Sequence, residues 1–190
     1  MAKPKKQGPP TLTQWRRQIE NDYDSKPWQL PIFSYGINTN LVGVQYRCAE
    51  WDGTYELALL DHYRMRFSKQ YMKNGSTFCN ISPHVGDVVE GVLLYLDKKS
   101  FKQLDVFEGY PEHYQRELFS VFSVDQDRTI DAWAYISTHT GGGAPSQQYF
   151  DGVLAGLESV GCSKGYIEEI REDGKRRMTA KQLRAMNMWI

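Results

Sequence analysis

Apolar and polar positions along the chain change their period several times, and those changes mark the elements. Leu30-Pro31-Ile32-Phe33-Ser34-Tyr35 is a short apolar run stopped by Gly36 and Asn38, which predicts a buried strand ending in a polar loop. Thr39 or Asn40 is placed to cap a short helix from Leu41 to Arg47. Tyr55 to Phe67 alternates loosely and predicts one or two strands, and Thr77 to Ile81 and Val85 to Leu96 predict two better ones. In the last of these, Val88, Val89, Val92, Leu93, Leu94 and Leu96 form the β-branched-rich pattern of a strand in a sheet interior. Asp97 then opens a short helix in which Phe101, Leu104 and Phe107 recur at helical spacing. Glu117 to Val124 and Thr129 to Ser137 make a hairpin-like pair around Asp125-Gln126-Asp127.

Gly141-Gly142-Gly143 closes this strand-rich body. Ser146 caps a helix that carries Tyr149, Val153, Leu154 and Leu157 on one face, and Tyr166 to Ile170 forms a second, shorter helix. Residues 1–29 read as an N-terminal extension, irregular at Lys3-Pro4-Lys5-Lys6 and Gly8-Pro9-Pro10, with a short helix between Thr13 and Asp22. Residues 173–190 read as a C-terminal extension, basic at Lys175-Arg176-Arg177 and apolar at Met186, Met188, Trp189 and Ile190. An apolar end of that kind docks on the body or on a second copy, and the second case makes a homodimer. Between the extensions, residues 30–172 form one domain. Strands dominate its middle and helices follow, so the class is α+β, with a mixed or antiparallel sheet closing into a small β-barrel flanked by helices.

Composition narrows the function classes. The 190 residues suffice for one domain with a proper core, and 41% apolar with 24% charged residues is the balance of a soluble globular protein. Lysine plus arginine equals aspartate plus glutamate at 23 each, which argues against a nucleic-acid partner, since phosphate neutralisation needs a basic excess. No stretch approaches the roughly 18 apolar residues of a membrane helix, so no membrane is expected. Cys48, Cys79 and Cys162 are far apart and lack a C-x-x-C pair, which indicates neither a disulfide framework nor a zinc site, and reduced thiols suit a cytoplasmic location. The twelve tyrosines suit a pocket with apolar walls and hydrogen-bonding tips, or the filling of a strand-rich core.

Motif chemistry is mostly negative. Gly161-Cys162-Ser163-Lys164-Gly165 has the form of a serine-hydrolase elbow, but an amphipathic helix precedes it where a strand is required, and all four histidines lie before Ser163. It reads as a helix connector. His62, His84, His113 and His139 show no metal-ligand spacing, and no phosphate loop or dinucleotide fingerprint is present. Any chemistry is therefore expected to run without a cofactor or metal, on a carboxylate or a tyrosine. Glu108 is the best candidate: it lies four residues after Leu104, beside Phe107, and Gly109 and Pro111 turn the chain at once, with Tyr110 and Tyr114 close behind.

Several of these segments resemble one family in the correct order. Phe33-Ser34-Tyr35-Gly36-Ile37-Asn38, Gly86-Asp87-Val88-Val89-Glu90-Gly91-Val92-Leu93, Leu104-Asp105-Val106-Phe107-Glu108-Gly109 and Ala132-Trp133-Ala134-Tyr135-Ile136 look like successive signatures of the gamma-glutamylcyclotransferases. Pro145-Ser146-Gln147-Gln148-Tyr149, with Gly161 and Tyr166, is similar to that family's C-terminal helical segment, and the likeness covers roughly residues 31–172.

The resemblance implies a small mixed barrel with one pocket and a small-molecule gamma-glutamyl substrate. It assigns Glu108 as the acid/base that cyclises a gamma-glutamyl amide to 5-oxoproline. It makes Tyr35, Gly36, Ile37 and Asn38 the substrate loop and Tyr114 and Tyr135 pocket residues. The family usually has serine at the position of Ile37, and this departure motivates the alternative of a binding or regulatory module that keeps the pocket without turnover. In the cyclase reading, a glutamate desolvated among Phe107, Tyr110 and Tyr114 is expected to titrate nearer neutrality.

Overall fold

The structure, a computed structural model, describes residues 29–70 and 75–187. The expected N-terminal extension to residue 28, with its short helix, lies outside them. Strand β1 (Leu30–Ser34) leads into a 3₁₀ turn (Ile37–Thr39) and helix α1 (Leu41–Arg47). Two long strands follow, β2 (Tyr55–Gln70) and β3 (Thr77–Leu96), then helix α2 (Lys98–Glu108). The hairpin of β4 (Gln115–Ser123) and β5 (Arg128–Ile136) precedes helices α3 (Gln147–Ser159) and α4 (Lys164–Asn187).

The five strands close into a barrel in the order β1-β3-β2-β4-β5. All neighbours are antiparallel except β1 with β5, which run parallel at Ile32 and Trp133, so the barrel is mixed. Its seam is β3, whose Val92, Leu93 and Leu94 are all fully buried. Three successive buried residues need cover on both faces of a strand. The barrel interior covers one face and helices cover the other.

Local chemistry sets the helix starts. Asn40 accepts from the Gly43 N–H at 3.1 Å to cap α1, Asp97 accepts from Lys99 and Ser100 to cap α2, and Ser146 accepts from Tyr149 to cap α3. Gly161 and Ser163 lie in the short connector between α3 and α4, and Ser163 Oγ takes the Tyr166 N–H there while donating to Glu90 at 2.5 Å. The serine is a helix cap.

Three expectations change. Thr77–Ile81 and Val85–Leu96 belong to one strand, joined through the exposed stretch from Ser82 to Gly86, where the pairing with β2 shifts register. Such a shift hides continuity, because the inward–outward alternation is interrupted. On α2 the buried apolar positions are Phe101 and Leu104, while Phe107 is 49% exposed. Glu108, seven residues after Phe101, takes the inward place instead, since i, i+3 and i+7 share a helix face. Finally, α4 does not stop at Ile170 but runs unbroken across residues 172 and 173. Asp173 holds it there: nearly fully buried, it pairs with Arg176 at 2.6 Å and Arg177 at 2.8 Å and faces Arg66 on β2 at 3.7 Å. Two of the three basic residues of that cluster thus share one carboxylate of their own helix.

Candidate active site

Where β1 leaves the barrel, the chain must turn against β3 without room for a side chain. A Cβ on Gly36 would stand 2.8 Å from Cys79 Cβ, so only glycine brings the loop this close to the strand. Within the turn, the N–H groups of Thr39 and Asn40 donate back to Gly36 and Ile37 at 2.9 and 3.1 Å. The N–H groups of Ile37 and Asn38, at the start of the turn, lie outside that ladder. Ile37 points its tip at α3, where Gly152 makes space: a Cβ there would be 2.9 Å from Ile37 Cδ1.

Opposite this loop, α2 ends. Gly109 adopts the left-handed conformation (φ 64°) that terminates the helix, with its N–H on Val106 and the Tyr110 N–H on Asp105. Glu108 is therefore the last helical residue, fixed at a helix C-terminus, where the backbone dipole disfavours a negative charge. Asn38 Nδ2 donates to Glu108 Oε1 at 2.6 Å, and Arg47 Nη1 donates to Asn38 Oδ1 at 2.6 Å.

Between loop and helix lies a small recess, open to solvent on one side. All seven residues singled out from the sequence line it: Tyr35, Gly36, Ile37, Asn38, Glu108, Tyr114 and Tyr135. Phe33, Ser34, Cys79 and Tyr149 line it as well. Of the aromatics next to Glu108 in sequence, only Tyr114 takes part; Phe107 instead carries the Arg47 guanidinium 3.8 Å above its ring, and Tyr110 carries that of Arg116 at 4.0 Å. The apolar surroundings of the carboxylate come from strands distant in sequence.

The tyrosines of the wall are tied by their hydroxyls. Tyr35 donates to the Tyr135 carbonyl, Tyr135 to the Asp105 carboxylate at 2.8 Å, and Tyr114 to the Cys79 carbonyl at 2.8 Å. Tyr149 accepts from the Cys79 N–H at 3.1 Å while its ring packs edge-on against Phe78 at 4.9 Å. These bonds make the wall rigid and leave no hydroxyl easily ionised. Burial raises the pKa of all four, and it pushes the Cys79 thiol up to about 12. Glu108 differs. Burial pushes it up from 4.5 to about 7, against the opposing pull of the Asn38 hydrogen bond and the charges of Arg47 and Lys69. Of the cavity-lining residues it is the one that exchanges a proton near neutrality.

Sequence reasoning missed Cys79, Tyr149 and Arg47. Tyr149 and Cys79 are 70 residues apart and meet only because α3 packs across β3. Arg47 had one local signal: it is the basic residue in the last turn of α1, nine residues from Asn38. Among the described residues, no three His, Cys, Asp or Glu side chains converge in a way that could hold a metal.

A closed five-stranded mixed barrel with flanking helices is the fold of the gamma-glutamyl cyclotransferase class. Residues 32–151 match the family described as Gamma-glutamyl cyclotransferase, AIG2-like, and the chain belongs to that family. A Drosophila melanogaster protein provisionally named a gamma-glutamylcyclotransferase is 33% identical over 54 residues, which is 28% of this chain and 34% of that protein. The chain thus spans about a third of the length of this curated relative.

Solved structures share the fold. One described as gamma-glutamyl cyclotransferase superposes with a TM-score of 0.66 at 20% identity, covering 75% of this chain and 86% of that one. A yeast gamma-glutamyl cyclotransferase described as specific to glutathione gives 0.54 at 11% identity, covering 79% and 97%.

Proposed function

We propose that the chain is a cofactor-free gamma-glutamyl cyclotransferase, cyclising a gamma-glutamyl amide to 5-oxoproline with release of an amine or amino acid. The observation that carries this reading is Glu108: a carboxylate pushed up to about 7, bonded to Asn38 and lining a recess of neutral tyrosines.

The reaction needs little else. In a gamma-glutamyl amide the α-amino nitrogen can reach the γ-carbonyl carbon of its own chain, so proximity is built into the substrate. Glu108 takes a proton from the attacking nitrogen as the new C–N bond closes the five-membered ring. The γ-oxygen becomes an oxyanion, and the N–H groups of Ile37 and Asn38, unused by the turn, are the donors assigned to it. Glu108 then returns its proton to the leaving nitrogen as the old C–N bond breaks. No water, electron or metal enters the balance. A group titrating at about 7 serves both steps, since it is neither too weak a base nor too weak an acid at cellular pH.

The usual serine of the family is Ile37 here. Its side chain is accommodated against Gly152 on α3, which supports a role for the backbone amide at this position and none for a hydroxyl. Glutathione is the first substrate to try, given the specificity stated for the yeast structure of the same fold. Gamma-glutamyl dipeptides and gamma-glutamylamines complete the panel. Release of 5-oxoproline that disappears in Glu108→Gln is the expected result. A wild-type chain inert to the whole panel refutes the reading and leaves a ligand-binding pocket without turnover.

A further inference from the structure

A primary amide has a donor end and an acceptor end, and only the donor end of Asn38 helps a carboxylate. What fixes the orientation is Arg47. Its guanidinium offers donors only, so the Asn38 group facing it at 2.6 Å is the oxygen, and the NH₂ is turned onto Glu108, also at 2.6 Å. Arg47 is held in turn by the Phe107 ring, 3.8 Å below its guanidinium carbon. Phe107 immediately precedes Glu108, so one guanidinium grips the loop through Asn38 and the end of α2 through Phe107. Arg47 itself does not line the recess.

We propose that Arg47 is a positioning residue for the reaction at Glu108: it sets the Asn38 amide so that the donor end holds the carboxylate, without touching substrate. This rests on the reading of Glu108 as the acid/base. The charged and titratable groups around that carboxylate are Arg47 on α1, Lys69 on β2, Tyr35 after β1, Cys79 on β3, Tyr114 before β4, Tyr135 on β5 and Tyr149 on α3. Of these only Arg47 and Lys69 are cations, and only Arg47 also orders the amide.

Arg47→Met keeps an unbranched stem over Phe107 and removes the planar fork. It should lower kcat about 10- to 100-fold with KM within about threefold, and move the acid limb of the pH–rate profile upward by about half a pH unit or more. In an Asn38→Ala background the same substitution should cost no more than about threefold in kcat, because the amide it orders is gone and only its direct charge remains. Additive losses, or an acid limb that stays in place, would overturn the proposal and leave Arg47 a packing residue.

A carbon-13 titration of the Glu108 carboxyl reads the same linkage whether or not the chain turns over any gamma-glutamyl compound. An upward displacement in both Arg47→Met and Asn38→Ala is expected, and none in either overturns the inference independently of the proposed activity. Arg47→Lys, which keeps the cation but lacks the fork, should show a smaller displacement of the same sign and carries the test if Arg47→Met does not fold.

Discussion

Replacing Glu108 with glutamine should destroy turnover and stabilise the protein above pH 7, and the two effects have one cause. In the unfolded chain the carboxyl titrates at 4.5, whereas in the folded protein burial moves it to about 7. Below pH 4.5 both states are protonated and the group makes no difference. Between 4.5 and 7 the unfolded state ionises while the folded state resists, so stability falls as pH rises; above 7 the full deficit is present. At about 1.4 kcal/mol per pH unit the displacement is worth about 3 kcal/mol, which solvent in the open recess screens to about 1–2 kcal/mol. Glutamine keeps the shape and can still accept from Asn38, but it never carries the charge.

Thermal melts of Glu108→Gln and wild type at pH 4.5 and pH 8 read this directly. The variant should gain about 2–8 °C relative to wild type on going from the lower to the higher pH, at about 2–4 °C per kcal/mol for a chain of this size. Its 5-oxoproline release should fall by about 10²–10⁴-fold, the usual contribution of a general acid/base. A melting difference that does not change between the two pH values would refute the claim that a desolvated carboxylate sits there, whatever the activity shows.

Three further outcomes follow from the same geometry. Gly36→Ala places a Cβ 2.8 Å from Cys79 Cβ, an atom fixed to the β3 backbone; the loop must shift, lowering stability in urea titrations by about 1–3 kcal/mol and abolishing 5-oxoproline release. Gly152→Ala crowds Ile37 Cδ1 at 2.9 Å and should push that side chain towards the recess, raising KM more than it lowers kcat in steady-state assays. Tyr149→Phe removes the acceptor of the part-buried Cys79 N–H and should lower the melting temperature by an amount corresponding to about 1–2 kcal/mol, with the Glu108 limb of the pH profile unmoved.

The sequence is most legible where the determining contacts are local. Caps at Asn40, Asp97 and Ser146 announce α1, α2 and α3 because a side-chain oxygen two or three residues away satisfies the first N–H groups. The hairpin around Asp125-Gln126-Asp127 is likewise a short-range feature, and its strands fall where alternation puts them. Legibility fails where the third dimension decides. Continuity of β3 through an exposed stretch depends on β2 holding both halves. The run of α4 past Ile170 depends on a buried Asp173 neutralised partly from another element, which a basic tail does not reveal. Phe107 looks like a core residue by spacing and becomes a platform for Arg47, because the inward turn of the helix is already taken by Glu108.

That exchange is the physical core of the site. Foldability favours apolar residues at inward helical positions, and a carboxylate there raises the free energy of the native state. Ordinarily such a residue would be paired with a cation and lose its basicity. Here the partner is the neutral amide of Asn38, and the Arg47 charge is held one residue further back, beyond that amide. Direct pairing with Arg47 would drive the pKa down into the usual carboxylate range and leave a poor base; no partner at all would let burial drive it further up and leave a poor acid. An amide interposed between cation and carboxylate gives the intermediate strength. Exchanging the order, with a cation placed directly at position 38 as in Asn38→Lys, should therefore pull Glu108 well below 7 and remove turnover while leaving the barrel intact by circular dichroism; turnover preserved in that variant would show that the spacing of charge does not matter.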